Sequence, residues 1–395
     1  MRRIVIVGAS LAGLRAAQAL RAEGFRGTLT LVGAEPHLPY DRPPLSKRQL
    51  TDAARPEDGD LPIPPDLDAT WLLGTPAEAL DPASRTVRLA DGRELDYDGL
   101  VIATGAAART HPAGHVPDGV RTLRGRDDAA ALRTELRAGR RITVVGGGFL
   151  GSELAVAARS RGLDVTLVVS TAQPLARLVG ERVGAYVAEL HRGAGIALVT
   201  HRTALGFTGN PALSQVVLSG GDTIDADLAV LALGADPNTG WLSGSGLLVA
   251  GGVACDPCLR VLHENGAPLP NVVAAGDVAM WPHPLADGAS IALGHWSNAA
   301  EQAAAAARTL FHRDEARPFT AVPSFWSDLH GSTLRAVGLP AYADEHRVTR
   351  YDLLGRRLEV TYHRAGRLVG AVTVGRPGRL AAYRRILTEE LLQAA

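Results

Sequence analysis

The sequence contains a single lysine. Lys47 stands alone among 41 basic residues, so every other cation is arginine. Cysteine is scarce as well: two in 395 residues cannot staple a secreted scaffold, and the expectation is a chain of the reducing cytoplasm. Net charge is absent, with 41 acidic residues balancing the basic ones, so no chain-wide positive field exists to hold nucleic acid through its phosphates. No stretch reaches the roughly eighteen uncharged apolar residues that a membrane span needs. Met1-Arg2-Arg3 followed by Ile4 to Val7 imitates a secretion signal, but the apolar run is short, glycine-punctuated and lacks a small-residue cleavage pattern. A composition of 46% hydrophobic and 21% charged residues excludes intrinsic disorder and collagen-like structure. What remains is a globular chain with length for two or three packed domains and no nucleic-acid or membrane partner.

What is present is alternation. Over about the first 230 residues, short Val/Ile/Leu runs are followed by Ala/Arg/Leu stretches at helical spacing, the pattern of a buried parallel sheet. Ile4 to Val7 reads as a strand, Leu11 to Glu23 as a helix and Thr28 to Val32 as the next strand. The order returns at Ile142 to Val145, Phe149 to Arg161 and Val165 to Val169, so the fold class is α/β with two Rossmann-like dinucleotide-binding units. Between them, Pro39 to Pro65 is too rich in proline for regular helix or central strand, and must be ordered by something else or move. Asn271 to Val273 reads as a strand and Ala299 to Leu310 as one helix. After Pro318 the texture changes to short strands at Arg347 to Tyr351, Arg357 to His363 and Leu368 to Val374, and a final helix from Leu380.

The chemistry-bearing motifs sit at the starts of those helices. Gly8-Ala9-Ser10-Leu11-Ala12-Gly13 follows a strand and opens a helix, where free N–H groups and the helix dipole favour a pyrophosphate. Ser10 replaces the usual middle glycine and adds a hydroxyl. Glu35, at the end of the second strand, has the spacing of the acid that accepts from ribose hydroxyls. The second copy, Gly146-Gly147-Gly148-Phe149-Leu150-Gly151, keeps all three glycines, but its second strand ends at Ser170 with no acid, and Arg177 is the nearest cation downstream. NADH and NADPH both remain open there.

Tyr40-Asp41-Arg42-Pro43-Pro44-Leu45-Ser46-Lys47 resembles the hallmark of the flavin-dependent ferredoxin reductases of the putidaredoxin, rhodocoxin and rubredoxin reductase group, relatives of glutathione reductase and apoptosis-inducing factor. Further matches follow in the same order: Ala103-Thr104-Gly105, Leu123-Arg124, Gly146 to Glu153, Ala275-Gly276-Asp277, His295-Trp296-Ser297-Asn298-Ala299 and Phe325-Trp326-Ser327-Asp328. The resemblance implies an FAD-binding domain from residues 1–109 and 234–317, an inserted NAD(P)H-binding domain at 110–233 and a C-terminal α+β interface domain at 318–395. It implies NADH or NADPH as reductant, with an iron–sulfur ferredoxin as acceptor that serves a haem monooxygenase or a dioxygenase. The nucleotide-binding residues it implies include Gly8, Ser10, Leu11, Ala12, Gly13, Glu35, Arg42, Ala77, Ala103, Thr104, Gly105, Arg124, Gly234, Gly276, Asp277, His295 and Trp296. On the second nucleotide they are Gly146, Gly148, Phe149, Leu150, Gly151, Ser170 and Arg177.

The resemblance also assigns Lys47 and Glu153 as a catalytic pair beside the flavin, the lysine supporting negative charge on the reduced ring and the glutamate holding the lysine. A lone lysine among arginines fits a place that wants a compact ammonium; chance is the alternative. Plainer roles stay open too: Glu153 as a first-turn acid, Asp277 as a helix N-cap, Arg124 paired with Asp127 or Asp128, Trp296 as core. Cys255-Asp256-Pro257-Cys258 has the spacing of a redox dithiol, but its position favours two structural cysteines. The histidines are scattered, His283 reads as a loop residue, and no set has zinc spacing, so no metal is expected. Residues 318–395 hold 11 arginines against 7 acids, an excess that could steer an acidic ferredoxin as readily as it could solvate a surface. A same-fold flavoenzyme acting on a disulfide, monodehydroascorbate or a nitrite-linked acceptor is the rival reading, and a low-turnover nucleotide-binding protein is the other.

Overall fold

The computed structural model describes residues 1–50, 55, 58–112 and 116–394, with the side chains of 393 and 394 left aside. Its first sheet runs Arg260–Leu262, Pro268–Ala274, Gly99–Ile102, Arg3–Val7, Thr28–Val32, Ala69–Leu72, parallel throughout except at the Arg260–Leu262 edge. Ile4 to Val7 and Leu100 to Ile102 are buried on both faces, which is why these strands read as unbroken apolar runs. Each such Ile or Leu contributes about 2 kcal/mol by leaving water. The first helix, Leu11–Ala22, packs on the return helix, Trp296–Phe311. Their buried faces are alanine-rich, with Ala12, Ala16 and Ala17 on one and Ala299, Ala303, Ala306 and Ala307 on the other.

The second sheet is wholly parallel, in the order Ala197–Thr200, Asp164–Val169, Arg141–Val145, Leu228–Leu231, Val120–Thr122. The predicted strands and helices of both units are present, with ends moved by one or two residues. The duplication goes further than the sequence shows. In each unit the connection back to the fourth core strand is an antiparallel three-stranded sheet, Ala77–Asp81 with Thr86–Leu89 and Glu94–Asp96 in the first, Ala204–Gly209 with Leu213–Leu218 and Thr223–Asp225 in the second. Strands of three to six residues leave too little alternation to be read.

The chain passes between the two sheets twice, and the crossings pair: Ala106–Ala108 lies antiparallel to Ala235–Pro237. Asn238 fixes this hinge, its side chain donating to Thr104 O (2.8 Å) while Thr104 Oγ1 donates to Asn238 O (2.8 Å). A third sheet, fully antiparallel, runs Ser324–Leu329, Ser332–Gly338, Arg367–Val374, Arg357–Arg364, Glu345–Asp352, followed by the helix Pro377–Ala394. Its first two strands were not predicted. No helix among the described residues is long and apolar enough to cross a membrane.

Candidate functional site

The carboxyl ends of both parallel sheets face one cleft of about 1200 Å³, lined also by the third sheet through Phe325 and Trp326. Both glycine loops line it. Gly8 has φ +123°, and a Cβ there would lie 2.0 Å from Ala103 O; Gly146 has φ +117°, and its Cβ would lie 2.2 Å from Ala232 O. Only glycine lets each strand turn into its helix this close to the neighbouring strand. Neither helix receives a side-chain cap, from Ser10 or at Gly148, so the first-turn N–H groups remain available to an anion.

Glu35 is held at the end of the second strand by a polar cluster. Tyr40 Oη donates to one of its oxygens (2.5 Å) and Arg42 to the other (2.5 Å). Burial alone would raise its pKa, but the Arg42 charge and the hydrogen bonds from Tyr40 and Arg42 outweigh it and hold the carboxyl below its ordinary range. Arg42 also donates to Arg124 O (2.7 Å), tying the proline-rich segment to the second unit. That segment forms two short 3₁₀ turns, Pro43–Ser46 and Arg48–Leu50; residues 51–54, 56 and 57 lie outside the described residues. Trp296 Nε1 donates to Asp41 (2.8 Å) and completes the clasp from the return helix.

Three chain segments meet at Glu153. Lys47 Nζ lies 2.9 Å from Oε1, and Asp328 Oδ2 stands 3.9 Å from the same ammonium. Ser46 donates to Oε2 (2.5 Å), Ser327 to Oε1 (2.6 Å) and Asp328 N to Oε1 (3.4 Å). The carboxylate side chain is only 8% exposed, so these partners replace the water it has lost. Glu153 is therefore a junction between the proline segment, the helix Phe149–Ser160 and the third sheet, and not a mere first-turn acid. Nothing in the sequence singles out Ser46, Ser327 or Asp328 as its partners; hydrogen bonds that span 107 and 174 residues leave no local signal.

Arg124 meets neither Asp127 nor Asp128 through its guanidinium. It bonds Asp277 at 2.6 Å and Ala106 O at 2.8 Å, whereas Asp128 accepts from the backbone N–H groups of Arg124 and Gly125 and Asp127 pairs with His37 at 2.9 Å. Asp277 caps no helix: it follows the strand Pro268–Ala274 in a turn, facing Arg124 and Gly294. His295 reaches the cleft with Nδ1 buried and unpartnered, its ring 4.6 Å from Phe325; burial, only partly offset by Asp277, lowers its pKa to about 4.

Most implied binding residues line this cleft: Gly8, Ser10, Leu11, Ala12, Glu35, Arg42, Lys47, Ala103, Thr104, Gly105, Arg124, Gly146, Gly148, Phe149, Leu150, Glu153, Ser170, Arg177, Gly234, Gly276, Asp277, His295 and Trp296. Three do not. Ala77 lies in the strand Ala77–Asp81, paired with Leu89 away from the cleft. Gly13 and Gly151 face inward, where a Cβ would lie 1.9 and 1.8 Å from Gly8 O and Gly146 O, so they bring helix onto strand. Neither cysteine lines the cleft; both are free thiols, and burial pushes both pKa values up, against thiolate chemistry. His283 is fully buried, its Nδ1 accepting from Leu285 N, a structural role.

The site fits a dinucleotide at each loop: two glycine turns at positive φ, open space beside Gly148 where a Cβ would meet nothing, two uncapped helix starts, and an unpartnered buried imidazole nitrogen in the same cleft. Residues 2–305 match the family model described as pyridine nucleotide-disulphide oxidoreductase, and residues 324–393 match that described as reductase C-terminal. Rhodocoxin reductase of Rhodococcus erythropolis is 35% identical over 98% of this chain and 90% of its own. The ferredoxin–NAD(+) reductase subunit of the benzene 1,2-dioxygenase system of Pseudomonas putida is 35% identical over 85% of this chain and 80% of its own. Among solved structures, the covalent putidaredoxin reductase–putidaredoxin complex matches with TM-score 0.90 and 32% identity, covering 98% of this chain and 93% of that one.

Proposed function

The chain belongs to the pyridine nucleotide-disulphide oxidoreductase family, and from that premise we propose that it is the FAD-containing reductase that carries electrons from NAD(P)H to an iron–sulfur ferredoxin. The ferredoxin in turn serves a haem monooxygenase or a dioxygenase, in the reducing cytoplasm where two free thiols persist. The observation that carries the reading is one cleft lined by both glycine loops and by the only lysine, which is ion-paired.

FAD would be held by the first loop, with Glu35 on its ribose and Asp277 with Arg124 on its chain; bound there, it supplies the change from two-electron hydride uptake to one-electron release. The remaining work is done by residues of this chain. Glu153 pairs with Lys47 at 2.9 Å and holds it still, so that its amino group faces the cleft from a fixed place without reorganising. Ser46 and Ser327 occupy the other lone pairs of Glu153, so its carboxylate oxygens are hydrogen-bonded in a nearly dry place. Gly146, Gly148, Phe149 and Leu150 would hold the pyridine nucleotide, and Phe149 packs on Phe325 with ring centroids 5.0 Å apart, closing the cleft from the third sheet. Residues 1–109 with 234–317 then form the flavin domain, 110–233 the pyridine-nucleotide domain and 318–395 the interface domain, the paired crossings at Ala106–Ala108 and Ala235–Pro237 marking the exchange.

The arginine excess of residues 318–395 is weaker steering than its count implies. Arg364 and Arg367 clasp Asp287 at 2.6 and 2.5 Å, and Arg384 reaches Glu301 at 3.5 Å, so acids outside that domain neutralise part of it. The test is purification followed by anaerobic titration: a yellow protein bleached by NADH or NADPH, and then reoxidised by an added ferredoxin, is the expected result. A protein that stays colourless and takes up no added FAD defeats the proposal.

A further inference from the structure

Resting on the second glycine loop as the pyridine-nucleotide site, we propose that Ser170 and Arg177 form a receptor for a 2′-phosphate, so that this chain uses NADPH at least as well as NADH. This departs from the NAD(+) in the name of the benzene dioxygenase relative. A carboxylate at the end of the second strand accepts from the ribose hydroxyls and repels a phosphate there; a nearby arginine does the reverse. The first unit carries that carboxylate, Glu35. In the second, the strand Asp164–Val169 runs into Ser170, which is exposed, with no side-chain hydrogen bond among the described residues.

The charges along the cleft point the same way. Its acids are already engaged: Glu35 by Arg42, Asp127 by His37, Asp128 by two backbone N–H groups, Glu153 by Lys47 and Asp277 by Arg124. Among its arginines, Arg126 pairs with Asp60. Arg177 lines the cleft with no ion pair among the described residues, and its side chain is exposed. A depression of about 160 Å³ on its other side is bordered by Asp344 and Glu345, but Asp344 accepts from Ala365 N (2.9 Å) and Glu345 is paired with Arg347 (2.7 Å). Beyond the neighbouring strand, Asp222 faces Arg202 at 3.7 Å. None of these acids is left to guard Ser170 or to claim Arg177, and Glu181, four residues further on and past the break at Val179 and Gly180, makes no ion pair with it.

The loop that leads into Arg177, the second residue of the helix Ala176–Gly193, is fastened to the loop that would hold the pyrophosphate. Leu175 N donates to Gly147 O (2.7 Å), and Thr171 Oγ1 donates to Gln173 O (2.7 Å), so the segment between Ser170 and Arg177 is set relative to the nucleotide before it binds. A guanidinium can then meet two phosphate oxygens with two N–H donors, while the Ser170 hydroxyl donates to a third.

The experiment uses the FAD-loaded protein and two probes without a nicotinamide, adenosine 2′,5′-bisphosphate and 5′-AMP, measured by isothermal titration calorimetry. The expected result is roughly tenfold tighter binding of the bisphosphate, an advantage that Arg177→Ala removes and Ser170→Glu reverses, the size expected of one charge-assisted bidentate pairing with the phosphate. The ratio of kcat/KM for NADPH over NADH should fall in both variants in the same order. Equal or tighter binding of 5′-AMP by the unaltered protein overturns the 2′-phosphate receptor and leaves the reductase intact. Equal loss of both probes in Arg177→Ala also overturns it, and binding of neither probe overturns the nucleotide site itself.

Discussion

At the end of its second strand the first glycine-loop unit carries Glu35, its carboxylate gripped by Tyr40 and Arg42; at the matching place the second unit carries Ser170, exposed and ungripped among the described residues. The two units otherwise share strand order, a helix-opening glycine turn with positive φ, and even an antiparallel three-stranded detour before the fourth core strand. The backbone plan makes a place for a pyrophosphate in either unit, because free N–H groups at a helix start do not depend on side chains. Side chains beyond the plan decide which nucleotide sits there and what surrounds it. The first unit is closed by its own proline segment and the return helix; the second is closed by the third sheet, through Glu153 with Ser327 and through Phe149 on Phe325.

The difference between the units is tested most severely by damaging the two turns separately. Gly8→Ala forces a Cβ onto Ala103 O at positive φ, and should lower bound flavin per chain by more than about tenfold, read from the visible-to-ultraviolet absorbance ratio. Gly146→Ala makes the same collision with Ala232 O in the other unit; it should leave a yellow protein whose affinity for pyridine nucleotide falls by a similar factor, read by calorimetry. Loss of flavin in both would mean that the turns do not serve different nucleotides.

Next in size is the junction. Glu153→Ala strands Lys47 and two serine hydroxyls, and should cost about 3 kcal/mol in denaturant unfolding, as removal of one partner from a buried pair does. Lys47→Met with Glu153→Leu should recover most of that stability while hydride uptake stays slow, separating the pair's structural part from its electrostatic one.

A smaller effect comes from pH. His191, fully buried in the helix Ala176–Gly193, meets His330 of the third sheet at 2.9 Å, and burial followed by the His330 charge brings its pKa down to about 3. In the unfolded chain it titrates near 6.5, so the unfolded state binds more protons between these values, and this contribution is complete above about pH 6.5 and lost on acidification toward 3. His191→Gln should flatten that slope in a pH series of unfolding midpoints. Glu35, also with a lowered pKa, adds stability above about 4.5 that fades below it, and Glu35→Gln should remove that acid limb without touching the His191 limb. The smallest expected change is with salt. Ferredoxin reduction should slow by less than about threefold between low and physiological ionic strength, since partner acids already engage several arginines of the third domain. A steep decline would restore electrostatic docking as the main attraction.

Local sequence was enough to specify the two strand–turn–helix units, since long apolar runs and glycine spacing are short-range patterns that repeat. It was enough also to make Lys47 singular and, through the ordered motifs, to locate most of the residues that line the cleft. Three things waited for the folded chain. Arg124 turned to Asp277 instead of its sequence neighbours, Ala77 went to a strand away from the cleft, and Glu153 became a buried junction with Ser46 and Ser327. For Arg124 and Glu153 the physical reason is that an ion pair or a buried hydrogen bond is chosen by distance and desolvation, and partners brought together across 107, 153 or 174 residues leave no mark in the local pattern. For Ala77 it is register: pairing with Leu89 in a five-residue strand fixes where the residue faces, and so short a strand carries too little alternation to announce it.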